Sequence, residues 1–344
     1  MIYAIMWFIT FFSMSFISQR TIKYVIALCI VFTFWFMAAF KGAGVDSDYQ
    51  NYTDYIQEVL SHGYSSRGGI LFDYLVKILS FIGIPAVAIF ALYSLSIPLK
   101  FALFRKFPDI TYAILIGYVG FFIYLHDFTQ IRAGLAIAIA YWAVYYQFVP
   151  QKKKFSFILL LLSCCIHSSL LVVLLFVFLE HFITRNKLLI ILFISVIICA
   201  FDGLSSIINK IIELIGNNDL SLYYRLSIDG QIIKPFGLFP VFNLLLSVFC
   251  FCFLNGMCRQ SKLIDVLMKM LILSQITWFL FYPIPVLSAR ISQIFLFSII
   301  FILPLASRIT MRNRYILPAF YSLISFVAFN TVAELMKPYH LIFY

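Results

Sequence analysis

The sequence has very little charge. Only 11% of its 344 residues are Asp, Glu, Lys or Arg, whereas 63% are hydrophobic, and the mean hydropathy is +1.01. Soluble domains carry about 25% charged residues, so this composition excludes a water-soluble globular protein and indicates that lipid is the main solvent. The apolar runs are long and continuous and do not alternate, which excludes a transmembrane β-barrel. We therefore predict an all-α polytopic membrane protein.

Acidic residues are scarcer than basic ones. The chain has 14 Asp and Glu against 25 Lys and Arg, which gives a formal net charge of +11. Most basic residues stand in short loops between apolar runs, as the positive-inside rule describes for cytoplasmic loops. Membrane topology therefore accounts for the charge, and we expect no nucleic-acid partner.

The polar loops contain no cysteine. All seven cysteines lie in or at the edge of apolar runs, which excludes a disulfide framework and a zinc-ligand spacing. No charge precedes Arg20, so the first apolar run lacks the charged start of a signal peptide, and we expect a retained span. We expect no metal and no cofactor.

The apolar runs predict about 11–12 transmembrane or re-entrant helices, in a single integral membrane domain over residues 1–344. In addition to the region 155–182, the apolar runs cover residues 2–18, 22–40, 83–104, 110–126, 129–149, 188–201, 238–257, 264–282, 287–306 and 315–333.

Six basic clusters set the expected orientation. With all six in the cytoplasm, residues 41–82 form a net acidic periplasmic loop and residues 202–236 form a second one. The clusters are Arg20 with Lys23; Lys100 with Arg105 and Lys106; Lys152–Lys154; Arg185 with Lys187; Arg259 with Lys262; and Arg308 with Arg312 and Arg314.

This orientation requires the region 155–182 to return to the face where it started. Two short helices broken near "SCCIHSS" satisfy it and are similar to the broken helices that line polar cavities in membrane proteins. One tilted span is the alternative. Segment 70–82 carries Asp73 and Lys77 four residues apart, which predicts an amphipathic interfacial helix.

Two arginines occupy unusual positions. Asp127 and Gln130 have the spacing of a capping box, which places Arg132 near the first turn of a helix that runs inward from the outer face. Ser288 is a similar candidate cap before Arg290. A cation at a helix N-terminus opposes the dipole but helps to bind phosphate. We expect the two arginines to hold one pyrophosphate; the alternative is that each snorkels to the headgroups.

Residues 40–57, "FKGAGVDSDYQNYTDYIQ", interrupt the apolar sequence with an acidic, tyrosine-rich segment. Ser47 and Gln50 form an S-x-x-Q capping box, which predicts a helix from Asp48 to Leu60. That helix aligns three tyrosines on one stripe, which we interpret as a platform for sugar rings; an interfacial aromatic belt is the alternative. The tyrosines are Tyr49, Tyr52 and Tyr55.

Three residues are candidates for proton transfer. Asp46 or Asp48 is a candidate general base for a hydroxyl group. Gly42 and Gly44 precede them and allow the backbone to pass close to a ligand. His167 is polar within an apolar run, so it is either functional or bonded to a carbonyl group at a helix break.

Three blocks in order resemble the EpsG-like group of Wzy-type O-antigen and exopolysaccharide polymerases. They are "KGAGVDSDYQNY", "FTQIRAGLAIAIAYW" and "CCIHSSLL", with Arg290 in "SARISQIFLF" as a weaker fourth match. The resemblance implies a multi-pass enzyme of the bacterial inner membrane with a periplasmic active site. Such an enzyme transfers a growing glycan from undecaprenyl pyrophosphate to the next lipid-linked repeat unit.

The resemblance also implies roles and partners. Asp46, Tyr49, Arg132 and His167 fall on matching positions. We add Lys41, where the family usually has arginine, to the pyrophosphate site, and Gln130 to the glycan site. The partners would be the undecaprenyl-pyrophosphate-linked oligosaccharide, the lipid membrane, a flippase and a chain-length regulator of the same pathway.

Two other functions compete with polymerisation. A flippase or transporter of lipid-linked sugars needs a cationic cavity with charges along the depth of the spans. An O-antigen ligase uses the same donor and similar chemistry, and only the resemblance separates it from a polymerase. Because Arg132 and Arg290 share one predicted level and the cytoplasmic half carries few charges, the sequence favours the polymerase.

Overall fold

A computed structural model describes residues 2–46, 48–65, 69–203, 234–332 and 339–341. In these residues every regular element is a helix, and the isolated bridges include an antiparallel one between Lys41 and Leu341. The chain forms two compact units, Met1–Leu174 with Leu303–Tyr344, and Leu175–Ile302. The expected single domain stays a prediction, since two compact units can belong to one membrane-embedded body.

The first unit contains the helices that carry most of the predicted site. They are α1 Ile2–Phe16, α2 Arg20–Ala39, α3 Tyr49–His62, α4 Ile70–Phe81, α5 Ile89–Tyr93, α6 Ser96–Phe104, α7 Thr111–Gly120, α8 Ile131–Phe148, α9 Lys153–Ile166, α10 Leu171–Leu179 as far as Leu174, α15 Ile299–Met311 from Leu303 onward, and α16 Ile316–Val332. Short 3-10 turns cover Ala86–Ala88 and Ser168–Leu170, and a π-helix covers Ile123–Thr129.

The second unit contains fewer helices within the described residues. They are α11 Arg185–Ala200, α12 Leu238–Gln260, α13 Lys262–Leu280 and α14 Pro285–Leu296. Most of the expected second periplasmic loop, 204–233, lies outside the described residues, so that expectation is untested.

The all-α, polytopic class is confirmed. Three described helices are long and apolar enough to cross a membrane, and the number rises to five if each of two bent pairs is one span. The sequence predicts more segments because it counts apolar residues and not unbroken helices. Several expected spans are short apolar helices, namely Ile2–Phe16, Ile89–Phe104, Ser168–Leu179 and Ile316–Ala328.

Three of the basic clusters meet at one end of the first unit. Lys23 donates to the Tyr315 hydroxyl at 3.1 Å, and Arg105 lies over the Tyr24 ring at 4.9 Å. Arg308 approaches Asp109 at 3.8 Å. This convergence agrees with the prediction that the three loops share one membrane face.

The break in the region 155–182 is confirmed. Helix α9 ends at Ile166, and His167 has extended backbone angles before the 3-10 turn. The side chain of His167 accepts a hydrogen bond from the Ser169 amide at 3.3 Å, so it caps the new segment. The re-entrant path of the two halves stays a prediction.

The amphipathic helix predicted at 70–82 is present as α4. Phe72, Val76 and Leu79 are buried on one face. Asp73 accepts hydrogen bonds from the amide and hydroxyl of Ser65 at 3.2 and 2.8 Å. The carboxylate therefore ties α4 to the end of the α3 segment.

Candidate active site

A buried ion pair fixes the loop after α2. Nζ of Lys41 lies 2.6 Å from Oδ2 of Asp46, and both side chains are 0% exposed. Lys41 also donates to the Phe128 carbonyl oxygen and lies over the Phe90 ring. Burial lowers the pKa of Lys41, while the carboxylates of Asp46 and Asp48 act in the opposite direction. The ammonium group is therefore held by groups of the protein itself.

Asp46 has a second structural contact. Its Oδ1 accepts the Asp48 backbone amide at 2.9 Å, which closes a tight turn before α3. Its Oδ2 accepts no hydrogen bond of good angular geometry, although it lies at ion-pair distance from Lys41. Oδ2 is stabilised by Coulomb attraction to the Lys41 ammonium group in a buried contact. Both oxygens of the Asp46 carboxylate therefore hold the loop in its conformation.

Gly42 packs closely against residues 340–341 of the same chain, whereas the sequence predicted a close approach to a ligand. Its amide donates to the His340 carbonyl oxygen at 2.8 Å. A Cβ at Gly42 would lie 2.6 Å from Nε2 of His340 and 3.0 Å from the Leu341 carbonyl oxygen. Together with the Lys41–Leu341 bridge, this contact holds residues 339–341 over the loop.

Helix α3 begins one residue later than predicted. It starts at Tyr49 with Asp48 as N-cap and ends at His62, and Gly63 follows as a left-handed C-cap. Ser47 lies outside the described residues, and Gln50 donates to Asp54 at 2.8 Å, within the helix. The capping box expected between Ser47 and Gln50 therefore falls outside the described residues.

The three tyrosines of α3 lie in different environments. Tyr49 is buried and stacks on Phe90 with ring centroids 5.0 Å apart. Tyr52 is also buried, between Phe72 and Phe90, whereas Tyr55 is half-buried against Phe72. Their expected contact with glycan stays a prediction, and Tyr55 presents the most surface for it.

Arg132 lies within an aromatic cage. Its guanidinium carbon is 5.7 Å from the ring centroids of Tyr52 and Tyr55 and 5.6 Å from that of Phe72. A Cβ at Gly69 would lie 3.7 Å from Nη1 of Arg132, so the start of α4 closes one side. The cage explains how a half-buried cation is held in one orientation at a helix N-terminus.

Electrostatics links the cage to the acidic loop. Burial raises the pKa of Tyr52 to about 12, Asp48 acts in the same direction, and Arg132 opposes both. Tyr52 therefore stays a neutral phenol at physiological pH. Asp48 therefore acts electrostatically on both Tyr52 and Lys41.

The expected capping box at Asp127 is wrong. Helix α8 begins at Ile131 with Gln130 as N-cap and no side-chain cap, so Arg132 is in the first turn, as predicted. Asp127 lies earlier, in the π-helix, and is completely buried. Both of its carboxylate oxygens lie 2.7 Å from Nζ of Lys100.

Lys100 therefore does not belong to a cytoplasmic loop as expected. It lies within α6 with a side-chain exposure of 0%, and the hydroxyls of Ser96 and Tyr118 also donate to Asp127. The sequence did contain a signal for this position. Lys100 stands inside the apolar helix "SIPLKFALF", five residues before Arg105, where a loop lysine would not be placed.

Arg290 lies in the second unit. Helix α14 starts at Pro285, whose fixed φ suits a first helical position. Arg290 is therefore in the second turn and not the first, and Ser288 is not the N-cap, since its hydroxyl donates to the Trp278 carbonyl oxygen at 2.9 Å. The joint binding of pyrophosphate by Arg132 and Arg290 stays a prediction.

Comparison with known proteins gives one result that covers almost the whole chain. The model of the EpsG family matches residues 24–341. Searches of curated proteins and of solved structures found no match. The matched range includes the loop ion pair, the arginine cage, the helix break at His167 and Leu341, which pairs with Lys41. The chain belongs to the EpsG family.

Proposed function

We propose that the protein is an O-antigen or exopolysaccharide polymerase of the bacterial inner membrane, with its active site on the periplasmic face. A hydroxyl of the incoming lipid-linked repeat unit attacks the anomeric carbon of the growing glycan. The bond from that carbon to undecaprenyl pyrophosphate breaks, the hydroxyl proton passes to a base, and undecaprenyl pyrophosphate leaves. Family membership supports a polysaccharide polymerase-like role, and the site supports the details below.

The observation that carries the proposal is the caged arginine at the start of α8. A leaving pyrophosphate needs positive charge and hydrogen-bond donors. Arg132 supplies the charge, and the first-turn amides of α8 supply donors at the positive end of the helix dipole. Because three aromatic rings hold the guanidinium, its orientation is set before the ligand binds. Arg290 is proposed to complete the anion site.

Asp48 is the better candidate for the base. Asp46 is fully buried and paired with Lys41, so it has no access to a hydroxyl. Asp48 is half-buried at the N-cap of α3, and its side chain contacts Asn51 at 3.4 Å. In the proposal Asp48 accepts the proton, while Asp46 and Lys41 hold the turn that presents it. His167 remains a second candidate for proton transfer at the end of α9.

The glycan is proposed to lie along the exposed side of α3. Tyr55 offers a half-buried ring next to Arg132, whereas the side chains of Tyr49 and Tyr52 are buried. Gln130 is half-buried one residue before α8 and is proposed to contact the sugars near the pyrophosphate. In this proposal the sugar ring and the pyrophosphate lie near the N-termini of α3, which Asp48 caps, and of α8, which carries Arg132. A flippase and a chain-length regulator of the same pathway are the proposed partners.

Transport of lipid-linked sugars is the second candidate, because one observation favours it. Lys100 and Asp127 place charge inside the first unit, as a transport path would require. However, each is fully buried, and Lys100, Ser96 and Tyr118 together satisfy the carboxylate. A fully buried ion pair of this kind is typical of a structural contact between helices, and not of the lining of a transport cavity.

A purified-protein assay separates the two functions. The protein in detergent micelles is mixed with one lipid-linked repeat unit, and the products are separated by length. A polymerase produces chains of several units without a second compartment. Single units only, from protein that is folded by size-exclusion chromatography, would contradict the proposal and favour transport or ligation.

A further inference from the structure

We propose that the buried Lys100–Asp127 pair is a positioning element that fixes the π-helix and, through it, the orientation of Arg132. The inference rests on the proposed function for the role of Arg132. It concerns residues for which neither the sequence patterns nor the family resemblance gives a role in the reaction.

The first step concerns the hydrogen-bond donors around the Asp127 carboxylate. Nζ of Lys100 lies 2.7 Å from each oxygen of Asp127, and the Ser96 and Tyr118 hydroxyls donate to the same carboxylate. Three donor groups on two different helices, α6 and α7, therefore converge on one side chain of the π-helix. These three donor groups together fix the position of the Asp127 carboxylate.

The second step is the energetic cost of this arrangement. Removing two charges from water is expensive, and apolar residues of the same volume often give equal or greater stability. Charged side chains inside membrane-embedded segments are accordingly rare and mark function. A buried ion pair is therefore weak evidence for added stability, and we attribute to this pair the position that it enforces on Asp127.

The third step is the local backbone. The π-helix Ile123–Thr129 lies directly before the N-cap of α8, and π-helical turns are rare and frequent at functional sites. Lys41, in the loop after α2, donates to the Phe128 carbonyl oxygen, and Lys100 of α6 donates to Asp127, so two lysines hold adjacent residues of this turn. Arg132 follows within one turn of α8.

The fourth step is the contact between the π-helix and α8. At Gly134 a Cβ would lie 2.7 Å from Oδ1 of Asp127 and would collide with the His126 carbonyl oxygen. The glycine lets the carboxylate pack directly against α8 two residues after Arg132. A displacement of Asp127 is therefore transmitted to the first turn of α8 by direct contact.

The test removes the whole cluster at nearly constant volume. The quadruple variant Lys100→Met, Asp127→Leu, Ser96→Ala, Tyr118→Phe removes the buried carboxylate together with its three donor groups. The control Lys23→Met, Tyr315→Phe removes a buried lysine and its hydroxyl partner at the other end of α2, about 27 Å from Lys41 at 1.5 Å per residue. Both proteins are purified and measured by hydrogen exchange and by the elongation assay.

We expect faster amide exchange over residues 123–134 in the quadruple variant, with the other helices of the first unit unchanged. Elongation should fall at least about tenfold, with a raised KM for the lipid-linked donor, because small misplacements of a binding group are costly. The control should match the wild type in both measurements.

Wild-type exchange over 123–134 together with wild-type elongation would overturn the inference. If the wild type itself does not elongate, the proposed function fails, and the exchange of 123–134 alone then decides whether the pair positions this segment. If the quadruple variant does not fold, Asp127→Asn is measured by the same criteria, since it removes the charge with little change in shape.

Discussion

Lys41 and Lys100 show how burial changes the meaning of a charged residue. Both lysines are fully buried, each pairs with a carboxylate, and both hold the turn before α8. The sequence pattern assigned one to a phosphate site and the other to a cytoplasmic loop. Their positions indicate that the chain uses internal ion pairs to shape the outer loop and the π-helix.

The two aspartates of the loop are expected to respond differently to substitution. Asp48→Asn removes the proposed base, so elongation should fall by about 10²–10⁴-fold with folding intact. Asp46→Asn leaves Lys41 buried without its counter-charge and should destabilise the protein by about 3–5 kcal/mol. Thermal unfolding in detergent and product length measure the two effects. Normal elongation by folded Asp48→Asn would exclude Asp48 as the base.

Tyr55 is expected to act through its ring. Tyr55→Phe keeps the face that contacts Arg132 and should retain most activity, whereas Tyr55→Ala opens the cage and should reduce elongation about tenfold, consistent with a cation–π contact plus lost packing. Stability should change little because the residue is only half-buried. Equal activity of Tyr55→Ala and the wild type would remove Tyr55 from the glycan and anion sites.

At the level of single residues, the partners of the buried side chains were not predictable from the sequence. Arg132 in the first turn of α8 was predicted correctly because its position depends on local helix boundaries. The cage around it depends on Phe72, which reaches the site through tertiary packing. Asp127 was assigned to a cap because nothing local shows that Lys100 approaches it.

Among the elements, the helix break at His167 and the amphipathic α4 were predicted well. Both leave local signals, a polar cluster within an apolar run and an alternation of buried and exposed faces. The π-helix was not predicted. Its extra residue per turn is stabilised by contacts from α6 and α7, so no spacing within 123–129 indicates it.

The contact between the outer loop and residues 339–341 predicts a steric effect at Gly42. Gly42→Ala should destabilise the protein by about 1–3 kcal/mol, because the new methyl group collides with His340 and Leu341. His340→Ala should partly restore stability in the double variant by removing the side-chain collision, while the Leu341 carbonyl oxygen stays at 3.0 Å. Thermal unfolding of the wild type, the two single variants and the double variant measures the coupling between the two positions. Additive effects of the two substitutions on stability would contradict the contact.

For the whole molecule, the positive-inside pattern and the structure agree within the first unit. The clusters at Lys23, Arg105 and Arg308 meet at one end, and the loop of Lys41 lies at the opposite end of α2. The sequence therefore predicted the class and the common end of these three clusters, because charge distribution and run length are global properties. Span count was less predictable, since breaks within apolar runs depend on packing.

Topology gives a direct prediction for labelling in intact cells. Cysteines introduced at the exposed residues Gln50 and His340 should react with a membrane-impermeant maleimide from the periplasmic side, because both belong to the outer loop assembly. Cysteines at Lys154 and Arg312 should react only after the membrane is opened. The unmodified protein is the control for the native cysteines, and labelling of position 312 in intact cells would reverse the orientation.

The central claim is that caged Arg132 binds the pyrophosphate during chain elongation. Its most direct test is elongation by purified wild type, Arg132→Ala and Arg132→Lys with a lipid-linked repeat unit in detergent. We predict long chains for the wild type and only single units for Arg132→Ala. Arg132→Lys should restore elongation only in part, because lysine lacks the bidentate geometry and the stacking plane. Long chains made by folded Arg132→Ala would contradict the account.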